Sequence, residues 1–279
     1  MFDSLILHEG TVAVLQSLAT SPPQGILLAG PRGIGKTSVA LAWAAAVTQE
    51  PTSVRSISPD EKGTIGIETI RELYKAARSR QKSQEVIIID DADKMSLEAE
   101  NAFLKLLEEP RPGLTFILTV SNTESVLPTI LSRVQLVPMQ PMSDEAIRRA
   151  IVAKKPGIAD ADLAQLLFIA SGRPAVALSL LDQETLDAQR ESMQRAKLLV
   201  TAKPYDRYLH ISKLAADRQA CLDGLSAMQR IAEAQLRSAQ SSAQVLHWAT
   251  LAGKIDDTMT AIQNNGNIRA QLLHLFSSY

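Results

Sequence analysis

Eight residues constrain this chain more than any others: Gly30-Pro31-Arg32-Gly33-Ile34-Gly35-Lys36-Thr37, which fit G-x-x-x-x-G-K-[ST] in full. The run stands between an apolar stretch, Ile26-Leu27-Leu28-Ala29, and an alanine-rich helical pattern over 38–47. A strand, a glycine-rich turn and a helix in that order aim several backbone N–H groups at one point. The helix dipole adds about half a positive charge there. Such a loop seats phosphate. Lys36 is placed to reach the β- and γ-phosphates and Thr37 to give its hydroxyl to Mg²⁺, so the expected ligand is ATP with Mg. Gly30 to Thr37, with Ser38 behind them, form the expected nucleotide-contacting set.

A second motif supports the first. Val86-Ile87-Ile88-Ile89 reads as a buried strand, β-branched throughout, and it runs into Asp90-Asp91. Two carboxylates at the end of a buried strand need something to offset their charge. Beside a phosphate loop that partner is the metal. Asp90 is expected to hold Mg²⁺ and Asp91 to address the attacking water. Further strands are expected at 116–120 and 134–137. A helix is expected over 97–109, capped by Ser96 and stopped by Pro110. Strands alternating with helices predict an α/β fold with a parallel sheet covered on both faces. Pro138 and Pro141 then interrupt the chain, Ser143 opens a new helix, and the pattern is helical to the end. The expected organisation is a nucleotide-binding domain at 1–138, a small helical lid at 139–182 and an all-α domain at 183–279. The stretches 49–66 and 264–267 are expected to be loops.

Charge and composition narrow the partners. Lys plus Arg is 29 and Asp plus Glu is 30, so no global basic field holds DNA by counterion release. The single cysteine, Cys221, forms neither an internal disulfide nor a thiolate zinc site, and it suits a reducing cytoplasm. His8, His210, His247 and His274 have no metal-ligand spacing. Zinc is therefore not expected as a cofactor. No apolar run approaches the ~20 residues of a membrane span. Arg71, Lys75, Arg78 and Lys82 share one helical face, opposite Ile67, Ile70, Tyr74 and Ala77. That stripe is either a solvated surface or a track for a nucleic-acid backbone.

Several segments resemble one known family. Asp90-Asp91-Ala92-Asp93-Lys94-Met95-Ser96 and Asn101-Ala102-Phe103-Leu104-Lys105-Leu106-Leu107-Glu108-Glu109-Pro110 are similar to the acidic motif and following helix of bacterial clamp-loader AAA+ subunits. Leu127-Pro128-Thr129-Ile130-Leu131-Ser132-Arg133 resembles that family's P-x-I-x-S-R-C segment. Gly172-Arg173-Pro174-Ala175-Val176-Ala177-Leu178 and Asn267-Ile268-Arg269-Ala270-Gln271-Leu272-Leu273 resemble its lid entry and the end of its helical collar. The resemblance implies an AAA+ domain, a lid and an oligomerising collar. It also implies a place in a hetero-oligomeric ring with other clamp-loader subunits, acting on a sliding clamp and primed DNA in the cytoplasm. It assigns Ser121 as the polar sensor beside the γ-phosphate and Arg133 as an arginine finger acting in trans on a neighbour's ATP.

Departures from the family pattern carry information. Asp91 stands where hydrolysing members have Glu, shorter by about 1.5 Å, and a misplacement of ~1 Å costs on the order of 10²-fold in rate. Ala175 stands at the sensor arginine of the lid, and Arg173 lies two residues earlier. No cysteines interrupt 49–66, where many relatives carry a zinc module. These features point to the delta-prime branch of the family. Two alternatives stay open: a non-hydrolysing structural stator of the same ring, or a separate AAA+ DNA-processing motor such as a Holliday-junction helicase. The block 183–279 lacks the basic recognition helix and β-hairpin signals of the latter.

Overall fold

The structure is a computed structural model and describes residues 1–48, 53–61, 63–77, 84–109, 111–202, 204–263 and 266–277. Its chain divides into two compact units, Met1–Leu178 and Ser179–Tyr279.

The first unit is built on five parallel strands: β1 (Gly25–Ala29), β2 (Val54–Ile57), β3 (Glu85–Ile89), β4 (Leu114–Val120) and β5 (Gln135–Pro138). Their spatial order is β2-β3-β4-β1-β5. Every residue of β3 and β4 is buried, as expected of continuous apolar runs in a sheet covered on both faces. Alternation along each strand sorts the core into two layers. Leu27, Ile87, Ile89, Phe116 and Leu118 face one side with residues of α3 (Ile67–Ala77) and α4 (Leu97–Glu108). Ile26, Leu28, Val86, Ile88 and Ile117 face the other with α1 (Glu9–Thr20) and α2 (Lys36–Val47). Trp43 is a core residue of that second layer, and its indole N–H donates to Leu15 O at 2.8 Å. Glu85, almost fully buried at the start of β3, is paired by Arg111 and Arg55. Such pairing is what a buried carboxylate requires.

The expected loop at 49–66 needs correction: Val54–Ile57 is the outermost strand, pairing with β3 in register from Val54↔Val86 to Ile57↔Ile89. It has only two apolar residues in four and sits at an edge, where Arg55 and Ser56 are exposed. Neither length nor apolar content marks it as a strand. Ile65 also bridges Met95, so this segment is anchored at both ends of its described part. Ser96 caps α4 as expected, accepting from Ala99 N at 3.2 Å. Ser143 caps α6 (Asp144–Lys154) through Ala146 N. Between β4 and β5 lies a single helical turn, α5 (Pro128–Leu131). The helices α6, α7 (Asp160–Ala170) and most of α8 (Pro174–Ser179) lie in the first unit. Pro110, Arg78, Lys82, Asn264 and Asn265, named in the sequence reading, lie outside the described residues.

In the second unit, α9 (Gln183–Thr201), α10 (Pro204–Leu214), α11 (Arg218–Ser238), α12 (Ser242–Gln263) and α13 (Ile268–Ser277) enclose an apolar core. Leu199, Met228, Leu251, Ile255 and Phe276 lie in it. Cys221 is fully buried there, and burial pushes its thiol up to about 11. It packs as a small apolar residue and is no nucleophile at neutral pH.

Phe103 holds the helical layer to the sheet. Its ring meets Phe116 edge-on at 5.1 Å between centroids, and both are fully buried. Phe103→Ala should cost about 3–5 kcal/mol of unfolding free energy, read from urea denaturation followed by circular dichroism. A loss below ~1 kcal/mol would show that this contact is not central to the layer.

Candidate nucleotide-binding site

The phosphate-loop residues leave β1 at the carboxyl edge of the sheet and enter α2. Gly30 N donates to Val120 O at 3.1 Å, which continues the β1–β4 pairing by one residue. A Cβ on Gly30 would lie 2.3 Å from the Met139 carbonyl oxygen, so only glycine fits. Gly35 has φ +103°, a left-handed conformation that turns the loop into the helix, and Val39 N bonds its carbonyl at 2.9 Å.

Lys36 is 6% exposed and folds back on its own loop. Its ammonium donates to Gly30 O at 2.7 Å and Pro31 O at 3.3 Å, and Ser121 Oγ lies 3.5 Å away. Burial lowers its pKa below the usual lysine value, while Asp91, Asp93 and Asp90 pull in the opposite direction. An anion seated at the loop would remove the penalty of burying this charge.

Thr37 and Asp90 meet directly. Thr37 Oγ1 donates to Asp90 Oδ1 at 2.8 Å, and Thr119 Oγ1 donates to the same oxygen at 2.6 Å. The Thr119 hydroxyl also accepts from Asp91 N at 3.0 Å. Thr119 thus links both residues of the acidic motif to β4. A hydroxyl and a carboxylate at this spacing are hard oxygen donors of the kind Mg²⁺ takes.

Asp91 has φ +48° and caps a 3-10 turn at Ala92–Lys94. Its carboxylate is 3.3 Å from the Arg32 guanidinium of the phosphate loop. Burial raises the Asp93 carboxyl above the usual range, Asp91 adds to the rise, and Asp93 Oδ1 is buried without a hydrogen bond. Around Lys36 the loop, β3 and β4 therefore gather Arg32, Thr37, Asp90, Asp91, Asp93 and Ser121.

Other candidate residues lie apart from this group. Arg133, 37% exposed, reaches Glu108 at 3.0 Å, Thr129 O at 2.9 Å and Ser132 Oγ at 3.2 Å. In the lid segment, Ala175 is in ordinary contact range of Gly35, with 3.5 Å between its Cβ and the place a Cβ on Gly35 would take. Arg173 points to the end of α7, where Nε donates to Ala170 O at 2.9 Å and Nη2 to Ile169 O at 3.1 Å. Val176 N donates to Gly33 O at 3.3 Å, which fastens α8 to the loop. Of the basic stripe, Arg71 is exposed and pairs with Glu68 at 2.6 Å. The Lys75 side chain lies outside the described part, as do Arg78 and Lys82.

Sequence reasoning missed two features of the site. Thr119 is one. The other is a cleft of about 120 Å³, open to solvent, lined by Leu5, Ile6, Leu7, Ile34, Gly35, Ser38, Val39, Pro174, Ala175 and Leu178. It opens beside the phosphate loop and its walls are mostly apolar. A flat aromatic ring attached to a seated phosphate chain is the kind of group it suits.

Thr119→Val keeps the shape but removes the hydroxyl that serves both aspartates. Leaving the part-buried Asp91 N–H unpaired should cost about 1 kcal/mol of stability. Comparison of the two urea midpoints at constant slope would show it; equal midpoints would mean that the hydroxyl does not tie the strands.

The family model described as DNA polymerase III, delta subunit matches residues 9–143. The DNA polymerase III subunit gamma/tau of Mycobacterium tuberculosis is 33% identical over 187 residues, a stretch covering 56% of this chain and 32% of the relative. The DNA polymerase III subunit delta' of Haemophilus influenzae is 31% identical over 141 residues, covering 50% of this chain and 42% of the relative. The matched stretch thus spans less than half the length of these relatives. Among solved structures, a DNA polymerase III, gamma subunit-related protein of Thermotoga maritima superposes with a TM-score of 0.58 at 23% identity, covering 96% of this chain and 97% of that one. The Holliday junction branch migration motor RuvB of Thermotoga maritima gives 0.51 at 16% identity, covering 69% and 74%. At these identities the two structures share a fold with this chain, an AAA+ α/β sheet followed by helices. The family model matches most of the phosphate-loop unit, and together with the relatives named DNA polymerase III subunits gamma/tau and delta' it supports a clamp-loader subunit of the AAA+ kind.

Proposed function

We propose that this chain is a delta-prime-type clamp-loader subunit that binds ATP with Mg²⁺ and supplies Arg133 in trans to a neighbouring subunit's nucleotide. The observation that carries the nucleotide reading is the 2.8 Å contact of Thr37 with Asp90 beside the buried Lys36. That contact brings the loop and the acidic strand together beside Lys36, which supports a metal–triphosphate site there. Gly30 to Ser38 hold the phosphates, Lys36 meets the β- and γ-phosphates, and the apolar cleft between Leu5–Leu7 and Pro174–Leu178 takes the base. Thr37 and Asp90 hold the metal, which when bound offsets charge on the phosphate oxygens. Ser121 stands next to Lys36 as the polar sensor.

In this reading the chain works in a cytoplasmic ring with other clamp-loader subunits, around a sliding clamp and primed DNA. The relatives' names, DNA polymerase III subunits gamma/tau and delta', favour assembly with other subunits of that kind. The proposed division of labour is a nucleotide domain at 1–138, a lid at 139–182 and a collar at 183–279. The basic face expected of Arg71, Lys75, Arg78 and Lys82 is a candidate DNA contact.

A specific set of contacts favours a second reading for hydrolysis, that of a nucleotide-holding stator. Asp91 is tied to Arg32, Ala175 offers no cation, and Arg173 is occupied by carbonyls at the end of α7. To act in hydrolysis on this chain's own site, Asp91 or Arg173 would have to leave its present partners.

Lys36→Ala should weaken ATP·Mg binding about 10- to 100-fold, the worth of charge-assisted hydrogen bonds to phosphate. Calorimetry on the folded variant reads this directly, and an unchanged dissociation constant would overturn the phosphate-loop reading. Arg133→Ala should leave ATP affinity of the isolated chain intact. In the assembled ring it should lower clamp- and DNA-stimulated hydrolysis, by up to roughly 10³–10⁵-fold at the affected site. A variant ring that assembles on a sizing column and hydrolyses at the wild-type rate would remove the arginine-finger role. Loss of binding in the isolated variant would place Arg133 in cis.

A further inference from the structure

Helix α4 grips the segment that carries Arg133 at two points. Glu100, only 6% exposed, accepts a hydrogen bond from Leu127 N at 3.1 Å. Leu127 caps α5, and backbone bonds then run without a gap to Arg133: Ile130 N and Leu131 N to Leu127 O, Ser132 N to Pro128 O, and Arg133 N to Ile130 O. Ile130 is fully buried against the α4 layer, so the turn cannot rotate freely. Eight residues further along α4, Glu108 meets the guanidinium itself at 3.0 Å. We propose that Glu100 is a positioning residue for Arg133: it fixes where the turn starts, while Glu108 orients the guanidinium. This rests on the reading of Arg133 as the trans-acting finger.

The two contacts differ in strength. Glu108 and Arg133 are both solvent-accessible, and an exposed pair of this kind holds weakly. Glu100 is buried, and a buried carboxylate persists in an apolar layer only with a hydrogen-bond partner. Burial pushes its carboxyl above the usual range and the Leu127 N–H pulls it back. Either protonation state leaves an oxygen to accept that bond, so the hold does not depend on charge. The amide oxygen of glutamine can serve equally well, and alanine cannot.

The test is clamp- and DNA-stimulated hydrolysis by the ring assembled with its own partner subunits, with melting temperature and sizing as controls. Glu100→Ala should reduce the Arg133-dependent part of the rate, by up to about 10²-fold at the affected site, the penalty of ~1 Å of misplacement. Glu100→Gln should stay within about twofold of wild type. Glu100→Ala combined with Arg133→Ala should be no slower than Arg133→Ala alone, because both act through one group. If Glu100→Ala prevents assembly, Leu127→Pro removes the same bond from the other side. Leu127 has φ −53° and Val126 has φ −113° and ψ 137°, which proline and its predecessor accept. A ring with Glu100→Ala or Leu127→Pro at the wild-type rate, where Arg133→Ala is slow, overturns the proposal and leaves the finger reading standing. Additive losses in the double variant, or a slow Glu100→Gln ring, also overturn it. A wild-type rate with Arg133→Ala removes the finger reading, and this proposal falls with it.

Discussion

One oxygen of Asp90 accepts hydrogen bonds from two hydroxyls, Thr37 on α2 and Thr119 on β4, and the arrangement of the site depends on it. Asp90 ends β3, so this contact joins the strand to the helix behind the phosphate loop. The sheet order makes the meeting possible. With β1 placed between β4 and β5, the chain leaves β1 at a point where neighbouring connections diverge, and such a point in an open parallel sheet forms a crevice at the carboxyl ends. A carboxylate there has no water-filled alternative on the sheet side. Two donors and the nearby Lys36 ammonium stabilise it before any ligand arrives.

The same constraint explains what could be read from the sequence. The inner strands are legible because they are buried on both faces and therefore apolar throughout, as Val86 to Ile89 show. Strand β2 is not, because an edge strand of four residues keeps polar side chains at Arg55 and Ser56 and draws its stability from pairing with β3. The phosphate loop is legible because its backbone path demands glycine at Gly30 and Gly35, which leaves a spaced trace. Thr119 leaves no trace: it is one threonine in an apolar strand, and its meaning comes from lying beside Asp90, 29 positions away in the chain. The cleft walls at Leu5–Leu7 and Pro174–Leu178 are equally silent, since apolar residues far apart in sequence show their common purpose only in space.

Binding and hydrolysis place different demands on this site. Binding asks for N–H groups, a lysine and an oxygen pair held at fixed spacing, and backbone geometry delivers most of it. Hydrolysis asks for charge placed where it develops in the transition state, which tolerates little displacement. Asp91 begins with a shorter side chain and a left-handed backbone, and its carboxylate already has a cation at Arg32. Drawing it toward a water molecule means breaking that pair. Arg173 would have to leave two carbonyls at the end of α7, which would then lack a donor. On the proposed reading, binding asks Lys36 to turn from Gly30 O and Pro31 O to the phosphates, and hydrolysis asks in addition for Asp91 to leave Arg32.

On the proposed reading, a bound nucleotide can matter to a neighbour, because α4 runs from the acidic turn to the Arg133 segment. It starts directly after the acidic turn, where Ser96 caps it, and it ends at Glu108 beside Arg133. Twelve residues of helix extend about 18 Å, and a packed helix of that length moves as a rod. On the proposed reading, a shift of the Asp90–Asp93 turn would move the start of α4, which ends beside the Arg133 segment. No bond in this chain's own nucleotide needs to break for that to happen. On the proposed reading, a ring member with an impaired hydrolytic apparatus thus has a physical reason to keep an intact phosphate loop: occupancy of the loop sets the frame from which the finger is presented.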